Sequence, residues 1–132
     1  NEQTTLNYET FEGKKVLVVD DSKLNLKVAE NVLKNFLVTT ESVTSGLECL
    51  SCVNSKKYDI IFMDIMMPNM NGVEVLKKLR EENINTPVIA LTADAIEGQE
   101  EKYMSEGFDG YISKPINKEK LNYVLNKYLG GK

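Results

Sequence analysis

The sequence predicts an α/β fold: a five-stranded parallel sheet in the order 2-1-3-4-5, doubly wound with five helices. Three observations predict it. Short apolar runs alternate five times with amphipathic stretches along the 132 residues, the pattern of repeated strand–helix units. Three of the runs are continuously apolar, as in strands buried on both faces. Right-handed crossovers leave few ways to connect five such strands, and this order fits best.

Residues 1–13 are polar, lack periodicity and end in Glu12-Gly13, so they read as a linker, with the folded domain over 14–129. The first run is Val16-Leu17-Val18-Val19. A helix near 23–36 follows, with Val28, Ala29, Val32, Leu33 and Phe36 on one face. The second run, Val38 to Val43, alternates and suits an edge strand. Ser45-Gly-Leu-Glu48 then resembles a capping box that opens the second helix. The third run, Ile60-Ile61-Phe62-Met63, leads to a helix near 72–82. That helix is opened by Asn71-Gly-Val-Glu74 and striped by Val73, Leu76 and Leu79, with Glu74 four residues before Lys78. After Val88-Ile89-Ala90-Leu91, a third box, Asp94-Ala-Ile-Glu97, opens an almost wholly polar helix near 96–107. Tyr111-Ile112 is the fifth run. Leu121, Val124, Leu125 and Tyr128 stripe the last helix, and residues 130–132 form a short tail.

Composition narrows the chemistry. The chain carries 16 Lys+Arg against 20 Asp+Glu, and Arg80 is its one arginine. That balance argues against direct nucleic-acid binding. With no histidine in the sequence, Ser-His-Asp catalysis, Cys-His catalysis and His-ligated metals are excluded. No apolar run reaches transmembrane length, so no membrane contact by this domain is expected. Reduced thiols in a cytoplasmic setting are the default expectation. The pair Cys49 and Cys52 lacks a second ligating pair and reads as core packing with incidental exposure.

In open α/β sheets, sites lie beyond the carboxyl ends of the strands. The first run ends in Asp20-Asp21, the third in Asp64, the fourth in Thr92 and the fifth in Ser113-Lys114-Pro115. Each residue taken singly has an ordinary explanation as a helix cap, a turn former or a solvated charge. Ser22 could cap the first helix alone, so the doubled Asp is not explained by capping. Taken together, three carboxylates, a hydroxyl and an ammonium meet at one edge of the sheet. Clustered carboxylates repel unless a cation sits among them, and an all-oxygen set favours Mg²⁺. Such a site suits phosphoryl transfer to a carboxylate, giving an aspartyl phosphate.

The motifs Val-Val-Asp20-Asp21-Ser, Phe-Met-Asp64-Ile-Met-Met-Pro68-Asn-Met-Asn-Gly72, Ala-Leu-Thr92-Ala93 and Gly-Tyr111-Ile-Ser-Lys114-Pro115 resemble the receiver domain of two-component response regulators. The resemblance covers about residues 14–129 and implies the flavodoxin-like receiver fold. It implies that Asp64 accepts a phosphoryl group from a phosphohistidine on a histidine kinase or histidine phosphotransfer domain. Asp21 and Asp64 would ligate Mg²⁺ directly, with the Met66 carbonyl, and Asp20 mostly through water. Lys114 would contact the phosphoryl group, Thr92 would hydrogen-bond it, and Tyr111 would swing inward. The change would switch the surface of helix 4, strand 5 and helix 5, with phosphorylation-dependent dimerisation as one outcome. The Lys114–Pro115 bond is expected to be cis, and Pro68 and Gly72 to shape the loop after Asp64. Met66 and Asp94 occupy positions that tune phosphoryl lifetime. Met66 offers no polar side chain to an attacking water, which implies slow self-dephosphorylation.

The resemblance implies a signalling module of bacterial type rather than an enzyme acting on a diffusible substrate, although the domain promotes its own phosphorylation and dephosphorylation. The first helix and the polar start without Met resemble the C-terminal receiver of a hybrid sensor histidine kinase, whose parent can be membrane-anchored. The alternatives are a stand-alone regulator or the receiver of a transcription factor. A phosphoaspartyl phosphatase of haloacid dehalogenase type would show Asp-x-Asp after its first strand, where this chain has adjacent Asp20-Asp21. The absence of G-x-G-x-x-G and G-x-x-x-x-G-K-[ST] argues against a nucleotide site.

Overall fold

Strands and helices alternate along the chain in the order the apolar runs predict. The computed structural model describes residues 10–93 and 99–130. The strands are β1 (Lys15–Val19), β2 (Thr39–Val43), β3 (Ile60–Asp64), β4 (Val88–Thr92) and β5 (Gly110–Ser113). The helices are α1 (Lys23–Leu33), α2 (Gly46–Ser55), α3 (Gly72–Glu81), α4 (Gln99–Ser105) and α5 (Lys118–Leu129). All strand pairs are parallel, in the order β2-β1-β3-β4-β5.

Two apolar layers sandwich the sheet because strand side chains alternate between faces. Val16, Val18, Ile60, Phe62, Ile89, Leu91 and Ile112 pack with residues of α1 and α5. Leu17, Val19, Ile61, Met63, Val88 and Ala90 pack with residues of α2, α3 and α4. Every residue of β3 and β4 is buried, whereas β2 at the sheet edge is half-buried or exposed throughout. This is why the third and fourth runs read as continuously apolar and the second as alternating.

The helix faces differ in detail from their sequence stripes. Leu26, Ala29 and Leu33 form the buried face of α1, while Val28 is exposed. The helix tightens into a 3-10 turn at Lys34–Phe36, which carries Phe36 into the same layer. Val75 joins Leu76 and Leu79 on α3 in place of Val73, and Leu129 completes the α5 stripe beyond Tyr128. In each case packing against the sheet selects which neighbour of the stripe is covered.

Packing also begins before residue 14. Phe11 is buried, its N–H donates to the Phe36 carbonyl at 2.8 Å, and its ring meets Phe36 with centroids 6.5 Å apart. The segment that reads as linker therefore contributes an aromatic residue to the α1/α5 layer. The Asp94–Glu97 box lies outside the described residues. Among the described residues no helix is long and apolar enough to cross a membrane.

Candidate functional site

Strand register assembles the site. Val19 of β1 lies beside Met63 of β3, so Asp20 and Asp64 come one step later on adjacent strands. Alternation places Asp20, Asp64 and Lys114 in phase with Val18, Phe62 and Ile112, on the α1/α5 side. Thr92 and Tyr111 are in phase with the opposite layer, against which Tyr111 packs. The carboxylates and the lysine thus share one register, and the hydroxyl and the tyrosine share the other.

Asp20, Asp64 and Thr92 are buried polar residues, 1%, 4% and 4% exposed. Lys114 bridges the two acids, with its ammonium 3.0 Å from Asp20 Oδ2 and 3.3 Å from Asp64 Oδ1. Asp20 Oδ2 is buried against this ammonium, and a carboxylate oxygen with one such partner keeps ligand capacity. Asp20 Oδ1 accepts the Ser22 N–H at 2.9 Å, while Ser22 Oγ caps α1 by accepting the Asn25 N–H at 3.2 Å. Asp20 therefore buttresses the cap that Ser22 makes. Asp64 Oδ1 also accepts the Met66 N–H at 3.2 Å, which draws the loop after β3 against the acid.

Two buried acids compete for one ammonium. Burial, then the charge of Asp20, pushes Asp64 up to about 6, against the opposing pull of Lys114 and the Met66 amide. Burial depresses the Lys114 ammonium, but the Asp20 and Asp64 carboxylates more than reverse this and raise it above the usual lysine value. Asp21 is exposed beside the pair, and one oxygen from each of Asp20, Asp21 and Asp64 fits within 4.8 Å of the others. Three carboxylates converging beside a single ammonium fit a hard divalent cation such as Mg²⁺. Asp20, Asp21, Asp64 and the Met66 carbonyl could hold one, and the Met66 side chain is 78% exposed and out of the way.

Backbone geometry supports the acid. A Cβ on Gly72 would stand 2.6 Å from the Asp64 carbonyl oxygen, so only glycine lets α3 start against the end of β3. Asn69 takes φ 70° in the loop between them, a conformation asparagine tolerates. The Lys114–Pro115 peptide is cis.

One neighbour of the site is not legible in the sequence. Tyr103 of α4 places its hydroxyl 3.3 Å from Thr92 Oγ1. Its only sequence signal is an aromatic residue in an otherwise polar stretch.

The family model described as the response regulator receiver domain matches residues 16–126. Probable histidine kinase 4 of Oryza sativa subsp. japonica is 36% identical over 141 residues, covering 89% of this chain and 14% of that protein. The chain thus spans about one seventh of that relative, and the same share of the similar rice histidine kinase 6. The polar-differentiation response regulator DivK of Brucella abortus (strain S19) is 39% identical over 119 residues, covering 89% of this chain and 97% of DivK. Among solved structures, the receiver domain of a sensor histidine kinase from Pseudomonas aeruginosa PAO1 superposes with TM-score 0.80 at 29% identity. That match covers 90% of this chain and 99% of that one, which holds a magnesium ion in its active-site cleft.

Proposed function

The chain belongs to the response regulator receiver family and is a receiver domain of two-component phosphorelay signalling, and from that premise we propose that Asp64 is its phosphoacceptor. The observation that carries the proposal is a buried strand-end carboxylate held 3.3 Å from the Lys114 ammonium, inside a three-carboxylate cluster.

Asp64 Oδ1 is engaged by Lys114 and the Met66 amide, which leaves Oδ2 as the nucleophile. Oδ2 attacks the phosphorus of a phosphohistidine. The P–O bond forms as the P–N bond breaks, and the electron pair stays on the departing imidazole nitrogen. Lys114 neutralises charge on the phosphoryl oxygens, and the Thr92 hydroxyl donates to one of them afterwards. A bound Mg²⁺ would supply further neutralisation of those oxygens. Tyr111 follows Thr92 inward, which carries the change to the α4, β5 and α5 surface.

Receivers of this kind work with histidine kinases or phosphotransfer proteins, and this chain, having no histidine, takes its imidazole from such a partner. The exposed Leu24 and Met66, close in sequence to Asp21 and Asp64, offer a histidine-bearing helix an apolar rim. We place the chain in the cytoplasm, as the C-terminal receiver of a hybrid sensor histidine kinase. The likeness to rice histidine kinases supports that parentage, and the likeness to DivK supports a stand-alone regulator.

Incubation with Mg²⁺ and a small-molecule phosphodonor is expected to add one phosphoryl group by intact mass. Asp64→Asn is expected to abolish it. No adduct on the wild type, or an undiminished one on the variant, would remove Asp64 from this role.

A further inference from the structure

Among the described residues, Tyr103 touches the switch hydroxyl of Thr92, and the transfer reaction leaves it without a role. It is 7% exposed and packs edge-on against Phe108, with ring centroids 6.3 Å apart. Its hydroxyl meets Thr92 Oγ1 at 3.3 Å, long for an O–H···O bond and correspondingly weak. Thr92 is in phase with Ala90 on the α2–α4 side of the sheet, whereas Asp64 is in phase with Phe62 on the α1/α5 side. A hydroxyl held at Tyr103 therefore faces α4, and it must turn toward the strand-end edge to reach a phosphoryl group on Asp64.

We propose that Tyr103 is a positioning residue that latches the resting state: its phenol holds the Thr92 hydroxyl on the α4 side and opposes capture of that hydroxyl by a phosphoryl group. The proposal rests on the reading of Asp64 as phosphoacceptor. With Thr92 as the donor, the latch is opened by competition, because a charged phosphoryl oxygen is a stronger acceptor than a phenol. The ring then has somewhere to go. A groove of about 590 Å³, bounded in part by Ile65, Val73, Lys77, Lys102 and Glu106, adjoins Tyr103. Breaking the bond thus removes one tie between α4 and the end of β4 when Asp64 is phosphorylated. A contact made only in the resting state lowers the population competent for the phosphoryl group, and its removal raises apparent affinity.

The test titrates Mg²⁺ with beryllofluoride, a phosphoryl mimic that binds an aspartate carboxylate, into isotope-labelled protein followed by NMR. Tyr103→Phe keeps the ring against Phe108 and removes only the hydroxyl. It is expected to tighten apparent binding about threefold, the share of a weak hydrogen bond. In a Thr92→Ala background the same change is expected to have no effect, since the partner is gone. Equal or weaker binding by Tyr103→Phe overturns the latch. So does an undiminished gain in the Thr92→Ala background, which would report packing alone. A measurement on the wild type needs no variant: the phenolic carbon resonance of Tyr103 is expected to shift when the mimic binds, and an unmoved resonance overturns the latch. A wild type that binds no mimic and takes no phosphoryl adduct removes the Asp64 reading and the latch with it. Binding of equal strength in wild type and Tyr103→Phe removes the latch alone.

Discussion

Cys49 and Cys52 stand one turn apart on α2, yet burial makes them chemically different. Cys49 is fully buried, and desolvation, with the neighbouring Cys52 adding to it, pushes its thiol up to about 12. At pH 8 it is protonated and unreactive, whereas Cys52 is half-exposed. An alkylating reagent is therefore expected to add once to the native chain, at Cys52, and twice only in denaturant, as read by intact mass. The spacing of the pair is visible in the sequence, but the inward turn of one thiol is a property of how α2 lies on the sheet. Gly72 shows the same dependence at the site. With a Cβ 2.6 Å from the Asp64 carbonyl, Gly72→Ala must displace the end of β3 or the start of α3. It is expected to cost about 1–3 kcal/mol of stability by denaturant titration and to slow formation of the phosphoryl adduct.

Helix starts show how far local chemistry carries. Asn71 and Glu74 form the reciprocal box their spacing predicts: the Asn71 side chain accepts the Glu74 N–H at 3.0 Å, and the Glu74 carboxylate accepts the Asn71 N–H at 3.0 Å. Asn71→Ala is expected to cost about 1 kcal/mol in the thermal transition. It should also loosen the helix start that braces Asp64. Ser45 caps α2 as expected, but Glu48 reaches one residue further back, accepting the Thr44 N–H at 2.7 Å and the Thr44 hydroxyl at 2.9 Å. The chain's one arginine is committed to structure. Arg80 donates to the Ile84 and Thr86 carbonyls and to Asp109 Oδ2, tying the end of α3 to the entries of β4 and β5. Ile84 and Thr86 lie close by in the sequence, but Asp109 is brought near only by the crossover, so the position of Arg80 carries no hint of that ion pair.

Across the whole molecule, two buried carboxylates share one ammonium, and their mutual repulsion opposes folding. In chelator, Asp64→Asn is expected to raise the thermal midpoint, worth about 1–2 kcal/mol, by removing one of the two buried charges. Mg²⁺ at one hundred times its dissociation constant is expected to stabilise the wild type by about 2.7 kcal/mol, and the variant by less. Thermal unfolding with and without Mg²⁺ checks both. From the sequence alone come the strand order, the two-faced burial of β3 and β4, and the placement of Asp20, Asp21, Asp64, Thr92 and Lys114 at the strand ends. These are legible because side-chain periodicity and strand-end placement repeat locally. Only the tertiary structure decided that Phe11 enters the core, that Val28 stays out of it, that Lys114 touches both Asp20 and Asp64, and that Tyr103 meets Thr92. Those facts depend on strand register and helix packing, which bring distant residues together and leave no trace in local periodicity.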